Sequence, residues 1–108
     1  MTDTSSAVRP PFQKLSVLMP VFNEVRTLRT IVERVLNAPV EIEIELIVVD
    51  DGSTDGSREL IAELARQETR IQHVLHDRNQ GKAAAVRSAI GAMTGDLALI
   101  QDADLEYD

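Results

Sequence analysis

Short apolar runs alternate along this chain with stretches whose apolar residues recur at three- and four-residue spacing. Leu15-Ser16-Val17-Leu18-Met19 is an apolar run closed by Pro20, the pattern of a buried strand. Leu28, Ile31, Val32, Val35 and Leu36 then fall on one helical face, which predicts an amphipathic helix ending near Asn37-Ala38-Pro39. Leu46-Ile47-Val48-Val49 is a second, β-branched strand stopped by Asp50-Asp51-Gly52-Ser53. Ser53-Thr54-Asp55 supplies N-cap candidates for a helix with Leu60, Ile61 and Leu64 on its buried stripe. Ile71 to Leu75 reads as a weaker third strand, with His73 inside it and His76 just beyond. Gly81 opens a third helix whose inner face is Val86, Ala89, Ile90 and Met93, and Thr94-Gly95-Asp96 turns the chain into a fourth strand, Leu97 to Ile100. The order βαβαβαβ with short connections predicts an α/β fold: a mostly parallel sheet of about four strands with helices on both faces.

Composition narrows this picture. The 108 residues suffice for one domain, and aromatics at 3% leave the core to Leu, Ile, Val and Ala. A net charge of -7 argues against nucleic acid as a partner, because phosphate backbones call for a positive footprint. There is no cysteine, so disulfide and thiolate chemistry are excluded and a reducing, cytoplasmic setting is permitted. No apolar run approaches the roughly eighteen residues that span a bilayer. Residues 1–13 lack the apolar core of a signal peptide and are expected to be a flexible tail containing Pro10-Pro11.

Polar residues gather where strands end. The first strand delivers Pro20-Val21-Phe22-Asn23-Glu24, the second Asp50-Asp51-Gly52-Ser53, and the fourth Asp102-Ala103-Asp104 running on to Glu106. Open parallel sheets bind ligands outside the carboxyl ends of their strands, where strand order reverses. If the first strand lies centrally, flanked by the second and the fourth, the three clusters converge. Along an extended segment Asp102, Asp104 and Glu106 could project to one side. Carboxylates so crowded must stay solvated, take up protons or share a cation. A hard divalent ion bridging such a group to a substrate diphosphate is a common solution. A solvated acidic run is the plainer reading of the same residues, as a turn and helix cap is of Asp50-Asp51-Gly52-Ser53.

Four segments in register, Leu15 to Glu24 (LSVLMPVFNE), Ile47 to Ser53 (IVVDDGS), Asn79 to Ala85 (NQGKAAA) and Gln101 to Asp108 (QDADLEYD), resemble the family 2 glycosyltransferases, and within them the polyprenyl-phosphate and dolichol-phosphate sugar transferases. The resemblance implies the GT-A fold, with residues 14–108 as its Rossmann-like, nucleotide-sugar-binding part, truncated at the C-terminus. It also implies transfer with inversion from a UDP- or GDP-sugar, supported by Mg2+ or Mn2+, to a lipid phosphate at the cytoplasmic face of a membrane. Pro20, Phe22 and Glu24 would line the nucleotide cleft, with Glu24 near the ribose or base. Asp51 would accept a hydrogen bond from a base N–H, and Asp50 would support it or contact the ribose. Gly81 would let the backbone approach the ligand, and Lys82 would offset phosphate charge at the helix start. Asp102 and Asp104 would form the metal and diphosphate motif, with Glu106 at a further metal-proximal position. No general base is expected within the chain, and a lipid phosphate, already anionic, does not require one.

Other readings share some of these features. A receiver-type signalling domain also carries an acidic pair after a strand and a later Asp, but its pair should follow the first strand. A nucleotidyltransferase would carry a glycine-rich basic loop where Phe22-Asn23-Glu24 stands. A non-catalytic nucleotide-binding remnant fits the same residues. His73 and His76 are read as structural, and Arg78 and Asn79 only as shaping the loop before the third helix. An unpaired sheet edge makes a homodimer an expectation.

Overall fold

The computed structural model describes residues 13–104. Four strands, β1 (Lys14–Val21), β2 (Glu43–Asp50), β3 (Ile71–Leu75) and β4 (Leu97–Ile100), alternate with three helices, α1 (Val25–Leu36), α2 (Ser57–Gln67) and α3 (Lys82–Ala92). Every strand pair is parallel, and the order is β3-β2-β1-β4. The chain therefore steps outward from β1 to β3 and then crosses back to lay β4 on the other side of β1, so the order reverses between β1 and β4. In a receiver-type sheet the third strand, not the fourth, would neighbour the first.

The alternation of side chains along the central strands sorts them between two layers. Val17, Met19 and Val21 of β1 and Ile44, Leu46 and Val48 of β2 pack with Leu28, Ile31 and Val32 of α1 and Ile61 and Leu64 of α2. The intervening Leu18, Ile47 and Val49 pack under α3, against Ala85 and Ala89. Of the expected inner face, Ala89 is buried and Met93 packs partly buried against the same cluster, but Ile90 is 51% exposed and Ala85 takes a buried place. Small residues let α3 sit close on the sheet, so the alanine stripe turns toward it.

Two boundaries also move. β1 continues through Pro20 to Val21. Its ladder with β4 covers only Leu15 to Leu18, with Leu18 O accepting from Gln101 N. Successive residues point their backbone groups to opposite neighbours, so Pro20 faces the side that β4 has already left, where no N–H is needed. Gln13, assigned to the tail, is tied down by donating its N–H to Asp96 Oδ2 at 2.9 Å; the rest of that segment lies outside the described residues. All four residues of β4 are exposed, and Leu99 and Ile100 stand half out of the protein.

Candidate functional site

The site begins with how the β1–α1 loop is laced to the β2–α2 loop. Asn23 takes a positive φ of 55°, accepts from Thr54 N at 2.8 Å and donates its own N–H to Ser53 Oγ at 2.8 Å. Glu24 N donates to Ser57 Oγ at 3.0 Å and Val25 N to Asp55 Oδ2 at 3.1 Å. The N-cap position of α2 is Gly56, but Asp55, one residue earlier, accepts from the first α2 donor, Ser57 N, at 2.9 Å, so the expected cap role holds for Asp55. The same run also accepts from Asn23 N and Val25 N where α1 starts. Burial pushes the Asp55 carboxyl up, but the hydrogen bonds from Ser57 and Val25 outweigh it and hold the group below its ordinary value.

The adjacent Asp50 and Asp51 separate completely, because β2 throws consecutive side chains to opposite faces. Asp50, wholly buried, turns to the α2 side; its Oδ2 accepts from Gly52 N at 3.1 Å, Ser53 N at 3.0 Å and the Arg58 guanidinium at 3.2 Å. Among the described residues its Oδ1 has no partner. Asp50, expected to support Asp51 or contact the ribose, has no exposure and does not line the cleft described below. Asp51 turns to the α3 side, where Oδ1 meets His76 Nδ1 at 2.9 Å and accepts from Gln80 N at 2.8 Å, while Oδ2 accepts from Gly81 N at 2.9 Å. Burial acts to raise its pKa, yet the bonds from His76, Gln80 and Gly81 together hold it below the ordinary aspartate value.

Gly52 makes the approach of the 78–81 loop possible. A Cβ there would lie 2.5 Å from both Arg78 C and Asn79 N, and the residue sits at φ +83°. Gly81 has φ +98° with open space where a Cβ would stand, so in the protein itself its backbone shape is what demands glycine. From there α3 begins with Lys82, whose Nζ reaches Asp102 Oδ1 at 2.6 Å. The hydrogen bond and charge of Asp102, with the charge of Asp104 behind them, raise the Lys82 pKa. The Asp102-Ala103-Asp104 segment is pinned by its middle residue. Ala103 is buried in the α1-side core, and its carbonyl accepts from Thr27 Oγ1 at 2.8 Å. With the alanine turned inward, the flanking carboxylates turn outward.

These pieces enclose a cleft of about 390 Å³ at the carboxyl edge of the sheet, between β1 and β4. Of the residues singled out in the sequence, Pro20, Phe22, Glu24, Asp51, Gly81, Lys82, Asp102 and Asp104 all line it. Asp50 does not, and Glu106 lies outside the described residues. Asn79, given no role from sequence, is a lining residue. His76, Arg58 and Thr27 were missed for a different reason. They act behind the wall, and each lies among other polar residues in the chain, so no local pattern marks its partner. His73 is exposed on β3. The wall carries four carboxylates, those of Glu24, Asp51, Asp102 and Asp104, against the ammonium of Lys82, a balance that suits a cation-bearing anionic ligand. A larger groove of about 700 Å³ lies on the α1 side of β1 and β4, mainly apolar, and touches the cleft only through Asp102 and Asp104.

Comparison with known proteins gives a consistent result. The profile described as glycosyl transferase family 2 matches residues 16–108. An undecaprenyl-phosphate 4-deoxy-4-formamido-L-arabinose transferase from Photorhabdus laumondii is 40% identical over 97 residues, covering 87% of this chain and 30% of that protein. Among solved structures, the mannosyltransferase PcManGT from Pyrobaculum calidifontis, in complex with GDP-Man and Mn2+, superposes with a TM-score of 0.75 at 25% identity, over 89% of this chain and 28% of that one. TarS of S. aureus in complex with UDP-GlcNAc superposes with a TM-score of 0.72 at 23% identity, over 85% and 27%. The chain thus spans under a third of the length of these relatives.

Proposed function

The chain belongs to glycosyl transferase family 2 and carries the Rossmann-like half of the GT-A fold, and from that premise we propose that residues 14–108 are the donor-binding part of an enzyme that transfers a sugar from a UDP- or GDP-sugar to a polyprenyl phosphate. The observation that carries this reading is the convergence of eight sequence-selected residues on one cleft at the β1–β4 switch point. The polyprenyl acceptor is taken from the name of the 40% identical relative. Transfer at the cytoplasmic face of a membrane accompanies it, although no described helix is long and apolar enough to cross one.

Each wall of the cleft has a chemical task in this reading. Phe22 is 46% exposed at the cleft, an apolar surface for the base or ribose beside Pro20 and Glu24. Asp51 keeps acceptor capacity on Oδ2 for a ligand N–H. Lys82 and the amino end of α3 face the diphosphate with positive charge. Asp102 and Asp104, with Glu106 beyond them, would hold Mg2+ or Mn2+. Among the described residues no group of three or more His, Cys, Asp or Glu side chains is placed to hold an ion alone. Two carboxylates at an open cleft nevertheless fit an ion that completes its oxygen shell from diphosphate and water. When bound, such an ion supplies Lewis-acid stabilisation of charge on the departing diphosphate. The acceptor phosphate, already anionic, attacks the anomeric carbon opposite the leaving group. The bond to the diphosphate breaks with its electron pair, the configuration inverts, and no general base from this chain is needed.

Calorimetry of the chain with UDP- and GDP-sugars, with and without Mn2+, tests the reading. Metal-dependent binding is expected for one of the two nucleotide classes, weakened at least about tenfold by Asp104→Ala, a loss of about 1.4 kcal/mol. Absence of binding to either class, or an unaltered affinity in a folded Asp104→Ala protein, would remove the site assignment.

A further inference from the structure

We propose that His76 is a positioning residue for the cleft: clamped between Ser88 and Asp51, it holds the Asp51 carboxylate against the 80–81 backbone and so fixes the wall that the nucleotide meets. The inference rests on the donor-site reading above and goes behind it, to a side chain that touches no ligand.

The clamp is built from four directions. The backbone of His76 is fixed first, its N–H donating to Asp50 O at 2.8 Å and its carbonyl accepting from Arg58 at 2.6 Å. Its ring, only 8% exposed, then spans from Asp51 Oδ1 at 2.9 Å to Ser88 Oγ at 2.7 Å on α3. Asp51 is held below its ordinary pKa, against its burial, by His76, Gln80 and Gly81; as a carboxylate it can only accept. The proton between the two side chains therefore sits on His76 Nδ1, and in the neutral ring Nε2 is left to accept from the Ser88 hydroxyl. Asp51 sets the tautomer, and the Ser88 hydroxyl, able to donate or accept, fills Nε2 and steadies the far edge of the ring. A carboxylate has about four acceptor positions. His76, Gln80 N and Gly81 N use three of them, and Oδ2 retains one while Asp51 lines the cleft.

The order Asp51, His76, Ser88 is also that of a nucleophilic triad. Neither His76 nor Ser88 lines either cleft, and Ser88 sits in the middle of α3. A hydroxyl without substrate access performs no acyl transfer, so the chain of bonds serves orientation. Without the imidazole, Asp51 would keep its Gln80 and Gly81 backbone donors but lose the side-chain donor that presses it against them. The Gln80–Gly81 turn, from which Lys82 and α3 depart, would follow it.

The test uses the uniformly ¹⁵N-labelled chain, which contains two histidines, so that exposed His73 is an internal reference. At about pH 8, where free imidazole is neutral, His76 is expected to be locked with Nδ1 protonated, while His73 averages between tautomers. His76→Ala should weaken binding of UDP or GDP with Mn2+ about tenfold, the loss of one hydrogen bond to a charged group, and shift the Gln80 and Gly81 amide resonances. His76→Asn, whose side-chain N–H can donate to Asp51, should bring affinity and both resonances most of the way back. Ser88→Ala should leave Nδ1 protonated, because Asp51 demands it, but remove the ring's far support and reduce affinity by about threefold. A His76 ring protonated at Nε2 alone, wild-type affinity in folded His76→Ala, or His76→Asn as impaired as His76→Ala would each overturn the proposal. If His76→Ala does not fold, Ser88→Ala decides: weaker binding with shifted Gln80 and Gly81 resonances supports the clamp, and unchanged binding with unchanged resonances refutes it. If the wild-type chain binds neither nucleotide, the donor-site reading falls separately, and the tautomer with the Gln80 and Gly81 shifts still decides whether His76 positions Asp51.

Discussion

Replacing Glu45 by alanine is expected to unfold much of this protein's stability without touching the cleft. Glu45 lies at the amino end of the sheet, opposite Ser16 in the β1–β2 register and only 5% exposed. Its Oε2 accepts from Ser16 Oγ and Thr94 N, each at 2.6 Å, and its Oε1 from Thr94 Oγ1 at 3.0 Å and Gln72 Nε2 at 3.1 Å, with Lys14 Nζ 3.6 Å away. One side chain thus joins three strands to the turn between α3 and β4. After truncation Lys14, Gln72 and the Thr94 hydroxyl recover water, but the wholly buried Ser16 hydroxyl and the Thr94 N–H lose their acceptor. At about 1.5–3 kcal/mol for each hydrogen bond to a charged group, the loss is about 3–6 kcal/mol. Against a domain stability of about 5–15 kcal/mol, that corresponds to a fall in Tm of about 15 °C or more. Urea and thermal unfolding followed by circular dichroism at neutral pH measure it. Glu43→Ala is the control, because Glu43 is 69% exposed and meets Lys14 only at 3.9 Å; it should change stability by less than about 0.5 kcal/mol. A Glu45→Ala protein within about 1 kcal/mol of wild type, with the same urea slope, would refute the claim that this carboxylate holds the 94–96 turn.

Gly52→Ala should be costly in both stability and binding. The new Cβ would lie 2.5 Å from the backbone at Arg78 and Asn79, at a φ of +83°. A destabilisation of about 2–4 kcal/mol is expected, with nucleotide affinity reduced even in the folded fraction because Asn79 is displaced; an unchanged Tm and affinity would contradict the close approach. Acid should destabilise the protein through the same carboxylates. The folded pKa values of Glu45, Asp51 and Asp55 are depressed, so their stabilisation is complete above the ordinary values of 4.5 for the glutamate and 3.8 for the aspartates. It is lost as pH falls from there through the folded values. Unfolding free energies measured from pH 7 to pH 3 should therefore decline below about pH 4.5, and Glu45→Gln should flatten part of that decline.

Much of the site was legible because a parallel sheet imposes it. Once the apolar runs mark strands, the polar residues after each run must lie at one edge, and eight of the ten singled-out residues do line one cleft there. Asp50 stands apart from that cleft because adjacent residues of an extended segment face opposite ways, and nothing in the chain marks which way the cleft lies. His76 was legible as structural and illegible as to what it supports, since Asp51 is 25 residues away and Ser88 another 12. Thr27 was invisible because its partner is a carbonyl, which any residue supplies.

Element order, the parallel sheet and the set of carboxylates at its edge follow from local patterns in the chain, because hydrophobic period and turn chemistry act over a few residues. The direction each side chain takes came from packing: Asp50 to the α2 side against Arg58, Asp51 to the α3 side between His76 and the Gly81 turn, Ala103 inward so that Asp102 and Asp104 turn out. Those choices depend on which helix covers which face and on donors brought from distant loops. The packing of β1 between β2 and β4 brings those partners together.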